Sequence, residues 1–317
     1  MQKNIKFWSN LMLIGAAFIW GSQVVFQKVA TVSIGPGSFY GLRCFMGVLT
    51  LSIIAGIMGI AKRKNEEKLG VEHEKKDKKY YKRLFIIAPL CVTTNVFGNI
   101  LVQWGLFYIP AAKTAFLNSI YIIFVPILGW IIFKKRTSAF TWIGTALAVL
   151  GLYYLCMTES FTIAKADLIV LFATIFFALH ILLIGKFVHE FEGIHFSIVE
   201  FTAGGIMCLI YGFFAENLSI DMIIAVIPSI LYCGIGGIGL CYALQVTAQK
   251  YTDPTVAALL MSLESVFAAI SGYIFLDERF SGRELVGIAL IILAIVLAQL
   301  PPWGELKEKL NHKKLEA

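Results

Sequence analysis

Charge is scarce in this sequence. Asp, Glu, Lys and Arg make up 15% of its 317 residues, where a soluble globular domain carries about a quarter. Between bunched charges run stretches of about 18–25 apolar residues, each long enough to cross about 30 Å of hydrocarbon as a helix. The polar outer faces of a soluble bundle are missing, and so are the short alternating segments of a β-barrel. The six cysteines contain no CxxC pair and the five histidines no HExxH spacing, so the sequence offers no disulfide, metal or cofactor site. A Walker A motif is absent, which argues against ATP hydrolysis. No nucleophile with a base stands at membrane depth, which argues against an intramembrane enzyme.

What is present is hydrophobicity, 58% of the chain. The pattern predicts an all-α integral membrane protein of about ten transmembrane helices. The expected spans are Leu11–Ala30, Ser38–Ile60, Leu84–Tyr108, Ala112–Phe133, Ala139–Cys156, Ala166–Phe187, His195–Ala215, Ile223–Ala248, Pro254–Leu276 and Gly282–Leu300. The first run is too long for a signal-peptide core and lacks a small-residue cleavage site, so it is read as a span.

Basic residues mark cytoplasmic loops. The strongest cluster, Lys62 to Arg83, falls between the second and third spans, and Lys134-Lys135-Arg136 follows the fourth. One orientation puts these inside together with both termini. The loop is read as a topology signal, with no nucleic-acid partner. The localisation expected is the cytoplasmic membrane, multi-pass.

The spans divide into residues 1–157, with the loop at 62–83, and 158–303, followed by a tail at 304–317. An odd number of spans per half inverts the second half, giving two inverted repeats of about five helices. Charge agrees. The fourth span ends in Phe133-Lys-Lys-Arg, its counterpart in Phe275-Leu-Asp-Glu-Arg. Gln103 pairs with Gln245, Ala115 with Ala257 and Leu117 with Leu259; near the start of each half Phe39 matches Phe196 and Arg43 matches Glu200.

The stretch "FIWGSQVVFQKVA" (Phe18 to Ala30), Arg43, and above all "SLESVFAAISGYIFLDERFSGRELVGIALIILAIVLA" (Ser262 to Ala298) carry a family likeness. The chain resembles the EamA-type members of the drug/metabolite transporter superfamily over about its whole length. Ser265 and Asp277 stand where the family pattern has Pro and Gly. The resemblance implies ten spans, inverted repeats, a central cavity and alternating access for amino acids, metabolites, nucleobases or drugs, often outward. The function expected is a secondary transporter, working as an exporter, for a small organic metabolite such as an amino acid, amine or drug-like solute. The alternative is a lipid-handling flippase or a non-transporting membrane partner.

Polar residues in spans point to protein, water or substrate, because they are costly elsewhere. Trp20, Gln23 and Gln27 share one helical face, as do Asn95, Asn99 and Gln103, and Tyr242, Gln245 and Gln249. His180 occupies the position matching Gln23, and Tyr121 adds an aromatic. These stripes are read as one wet interior, with interhelical hydrogen bonding as the competing reading for each residue. Arg43 lies roughly 9 Å in from the outer end of its span and Glu200 similarly deep from the inner end of its own, and the two are expected in opposite vestibules, as gating groups or as interfacial anchors.

Glu264 sits near mid-depth, where an acid costs about 2.5–3.5 kcal/mol to insert. Its counterpart is the apolar Ile122, so a symmetric fold does not require it. It is read as handling a proton or a substrate cation, or as a neutral brace between helices. Proton coupling and a homodimer remain open expectations.

The charge tally makes a direct prediction. In a cysteine-free background, Lys76→Cys should resist an impermeant maleimide in intact cells and react in inverted vesicles. Labelling from outside intact cells would reverse the orientation.

Overall fold

The computed structural model describes residues 2–30, 32–69, 76–109, 111–135, 137–157, 164–275 and 281–300. The Asp277-Glu278-Arg279 ending, the tail beyond Leu300, Arg136 and positions 70–75 of the basic loop lie outside the described residues. Every regular element among the described residues is helical. Helices α1 (Gln2–Ala30), α2 (Pro36–Leu69) and α3 (Lys78–Tyr108) precede a broken pair, α4 (Ala111–Ser119) and α5 (Tyr121–Phe133). Next come α6 (Ala139–Cys156), α7 (Lys165–Phe187) and α8 (Gly193–Ala215). The short α9 (Ile220–Ala225) and α10 (Ile227–Leu231) lead into a π-helical segment, Tyr232–Leu240, and α11 (Cys241–Ala248). A second broken pair, α12 (Pro254–Met261) and α13 (Glu264–Phe275), precedes α14 (Gly282–Ala298).

Nine helices among the described residues are long and apolar enough to cross a membrane. Helix α14, the expected last span, has 17 residues, or about 26 Å at 1.5 Å per residue. The solvation pattern is that of a bundle in lipid. Phe18, Leu49, Ile57, Phe85, Phe172, Phe213 and Phe214 are exposed, whereas Gln23, Arg43, Asn95, His180, Glu200 and Gln245 are buried. A soluble protein does the reverse.

Local chemistry sets the helix ends. Asp77 accepts from Tyr80 N at 2.7 Å and Ser138 from Thr141 N at 3.1 Å, satisfying orphan amides at the starts of α3 and α6. Ser281 and Glu284 form a capping box on α14. Lys134 ends α5 in the left-handed region at φ 56°. At this end of the bundle Lys135 meets Asp253 at 2.5 Å, Arg83 meets Glu190 at 2.6 Å and Lys62 meets Glu192 at 3.5 Å. Partial burial pushes the Glu192 carboxyl up, but Lys62 and His195 outweigh it and hold it below its ordinary value. Pairs this exposed contribute little individually.

The expected fourth, eighth and ninth spans are interrupted where the sequence pattern predicts continuous helices. Around Ile120 the ladder tightens to Ile120 N→Leu117 O (3.2 Å) and Ile123 N→Ile120 O (3.0 Å). Around Ser262 it tightens to Leu263 N→Leu260 O and Ser265 N→Ser262 O, both 3.3 Å, with Ser262 Oγ bonding Leu259 O at 2.7 Å. Such i→i+3 turns mark breaks in a helix. The register that pairs Gln103 with Gln245 also pairs Ile120 with Ser262.

Small residues let the backbones approach. Helices α6 and α14 make the most extensive pairing. Where they cross, a Cβ on Gly151 would lie 2.7 Å from Gly287 O, and one on Gly287 would lie 2.6 Å from Gly151 O. Gly56, in contrast, has open space around it. Gly287→Leu should therefore overpack the crossing and destabilise the protein by about 1–3 kcal/mol, read as a lowered melting temperature in detergent. Gly56→Leu should be near neutral. Equal effects would show that the α6–α14 contact is not close.

Candidate functional site

The interrupted helices meet the polar stripes of α1, α3, α7 and α11 around a central cavity of about 120 Å³. Close approach of α1 makes this arrangement possible. A Cβ on Gly21 would lie 2.8 Å from Ala268 N and 2.9 Å from Phe267 Cβ, so only a glycine lets α1 seat against the first turns of α13. Trp20, Gln23, Gln27, Asn95, Asn99, Tyr121, His180, Tyr242, Gln245 and Glu264 all line the cavity, and so does Arg43.

Gln103 does not line it. It is buried and donates to Gln27 O at 3.2 Å, joining α3 to α1. Gln249 likewise donates to Ile181 O at 3.3 Å, tying α7 to the residue after α11. One helical face thus splits into wall and glue along its length, because the cavity is shorter than the stripe.

One wall is a hydrogen-bond chain. Arg43 Nη2 donates to Asn99 Oδ1 at 2.5 Å, and Asn99 Nδ2 donates to Asn95 Oδ1 at 2.8 Å. Asn95 Oδ1 also accepts from the Tyr40 hydroxyl. Asn95 Nδ2 donates to Tyr242 Oη at 2.7 Å and lies 3.3 Å from His180 Nδ1. His180 Nε2 is 2.5 Å from Glu200 Oε1. The Arg43 guanidinium also lies over the rings of Tyr40 and Phe39, 4.6 and 5.6 Å from their centroids.

Arg43 and Glu200 therefore belong to one network. The expectation of opposite vestibules is corrected on this point. Depth counted along each helix separately rules out a direct pair, and none is present among the described residues. Three intervening side chains, Asn99, Asn95 and His180, span the gap. Glu200 does not touch the cavity; it is wholly buried behind His180.

The cavity lining also carries Glu264, the one carboxylate among the described lining residues. It opens helix α13, where the peptide dipoles favour negative charge. Asn118, in the last turn of α4, donates to its Oε1 at 3.3 Å. Beside it the Ser119 and Ser265 hydroxyls meet at 3.0 Å. Trp20, Tyr121, Phe177 and Tyr242 supply aromatic surface, with the Trp20 indole donating to Gly237 O of the π segment at 2.9 Å. Side-chain oxygens of Gln23, Asn118 and Gln245, all lining residues, are buried without a partner in the protein.

Asn118 escapes the sequence reading. The one available signal is that Asn118-Ser119 is a polar pair inside an apolar run. Also missed is the buried ion pair of Lys113 with Asp167 at 2.6 Å, because both residues lie at span ends. Among the described residues no group of three or more His, Cys, Asp or Glu stands close enough to bind a metal ion.

Comparison with known proteins agrees with this architecture. The EamA-like transporter family matches residues 7–157 and 164–300. An uncharacterized transporter of Archaeoglobus fulgidus is 25% identical over 296 residues, covering 93% of this chain and 87% of that protein. The uncharacterized transporter YoaV of Bacillus subtilis is 22% identical, over 90% of this chain and 95% of YoaV. Protein PecM of Dickeya dadantii is 22% identical over 68% of this chain and 73% of its own length. A crystal structure of 14% identity shares the fold with a TM-score of 0.69, covering 92% of this chain and 96% of that chain.

Proposed function

The chain belongs to the EamA-like transporter family, and from that premise we propose a secondary transporter that moves a small organic solute outward across the cytoplasmic membrane by alternating access. We propose further that it is built from two inverted repeats of about five spans. Two features support the repeats: the family matches the chain in two stretches, and the helix breaks fall at corresponding positions, Ile120 and Ser262.

The observation that carries the reading is Glu264. A carboxyl group on the cavity wall, in the first turn of a half-helix and held by one amide donor, supplies the counter-charge when a cation binds. A solute with a protonated amine supplies it, and its remaining donors meet the unpartnered oxygens of Gln23, Asn118 and Gln245. The rings of Trp20, Tyr121 and Tyr242 cover the cation's apolar sides, a contact that contributes about 0.5–2 kcal/mol. The solute class is therefore amines, including amino acids. The breaks in α4–α5 and α12–α13 leave this site between half-helices that pivot, so that it faces each side in turn.

The test uses purified protein in proteoliposomes with a panel of radiolabelled amino acids and amines. Thermal shift identifies the binders first, since a ligand of the folded state raises apparent stability. Glu264→Gln, which keeps shape and hydrogen bonding, should lower transport of the amine at least tenfold without lowering the melting temperature. Normal transport in that variant would overturn the role of Glu264.

A further inference from the structure

The proposed function employs Glu264 and leaves a second buried carboxylate without a task. Glu200 is wholly buried in α8, its Oε1 on His180 Nε2 and its Oε2 without a hydrogen-bond partner in the protein. Its match in the first half is Arg43, and the match of His180 is Gln23, so the fold does not require an acid and an imidazole here.

The direction of every hydrogen bond in the chain follows from Arg43. A guanidinium only donates and keeps its charge at any accessible pH. Asn99 must therefore turn its oxygen to Arg43 and its NH₂ to Asn95. Asn95 must then turn its oxygen to Asn99 and Tyr40, and its NH₂ to Tyr242 and His180. With a donor facing it, Nδ1 of His180 must be the unprotonated nitrogen. The ring proton then sits on Nε2 and points to Glu200. The arrangement described here thus holds a neutral imidazole of one tautomer. A second proton on Nδ1 would set donor against donor at Asn95.

Other titratable groups around the pair fit this assignment. Helix α2 presents Arg43, Tyr40 and Cys44; α3 presents Cys91; α8 presents Glu200 and Cys208; and α11 presents Tyr242. On α7 itself Asp167 is engaged by Lys113, and Lys186 lies over Phe133 and Phe187. Among the described residues His180 makes its side-chain hydrogen bonds to α3 and α8, none to α4, α5 or α12, and Glu264 is held by Asn118. With His180 neutral, Arg43 and Glu200 balance.

We propose that His180, backed by Glu200, is a proton-coupling site separate from Glu264: it takes a proton from the cavity on Nδ1 only when α3 withdraws the Asn95 carboxamide. His180 lines the cavity, so the proton has a route. The imidazolium then donates from both nitrogens, with Glu200 as its counter-charge. Asn95 and His180 lie on α3 and α7, one in each half of the chain, so the proton and the relative position of the halves are linked. Release of the proton restores the arrangement seen here. The coupling role rests on the transporter reading; the tautomer and its dependence on Asn95 do not.

The test is nitrogen NMR of ¹⁵N-histidine-labelled full-length protein in nanodiscs, with the His180 signals assigned by their loss in His180→Asn. Wild type at neutral pH should show His180 as the Nε2–H tautomer. Asn95→Leu removes the facing donor and should raise the ratio of imidazolium to neutral imidazole at a fixed pH at least tenfold. Asn99→Leu, which frees the Asn95 amide to turn, should act in the same direction and serves if Asn95→Leu does not fold. An Nδ1–H tautomer in the wild type, or an unchanged ratio in the folded variant, would overturn the proposal. Loss of amine transport in Glu264→Gln with the predicted His180 behaviour intact bears on the substrate site alone. Intact transport with the wrong tautomer sinks the proton site alone.

Discussion

Inside hydrocarbon a polar group without a partner is costly, and this constraint organises the described helices. It turns Gln23, Asn95, Gln245, His180, Arg43 and Glu200 inward, while Phe18, Leu49, Phe85, Phe172 and Phe214 face outward. It also makes the interior directional. Arg43 can only donate, Glu200 sits at the accepting end, and the asparagines between them have one consistent orientation.

Backbone breaks serve the same constraint. An interrupted helix leaves amides and carbonyls unpaired, which is tolerable at membrane depth only where they are buried in protein or line a cavity. The breaks at Ile120 and Ser262 satisfy it through short i→i+3 bonds and the Ser262 hydroxyl. They also place Tyr121 and Glu264 at the starts of half-helices on the cavity wall. The π segment does likewise, offering Gly237 O to Trp20.

Much of this was legible in the sequence, for a definite reason. A stripe such as Trp20, Gln23, Gln27 is a property of one helix, and helical periodicity reads it directly. The convergence of the stripes follows once each must avoid lipid. What periodicity does not read is the relation between helices. Gln103 continues the face of Asn95 and Asn99, yet bonds Gln27 O because the cavity ends before it. Arg43 and Glu200 join through side chains that no single-helix depth count includes. The breaks escaped notice because neither Ile120 nor Ser262 is a glycine or proline, the usual markers of a helix end. Asn118 was hidden with them, since it lies in the last turn before the first break and its partner Glu264 opens the helix after the second.

We propose that both sides of the membrane reach this one cavity in turn. The direct measurement is labelling of Ala115→Cys, on the cavity wall, in a cysteine-free protein, with Leu117→Cys, which is buried in the core, as the unreactive control. An impermeant maleimide should modify Ala115→Cys both in intact cells and in inverted vesicles, and Leu117→Cys in neither. Labelling from neither side, or from one side only, would contradict alternating access to this site.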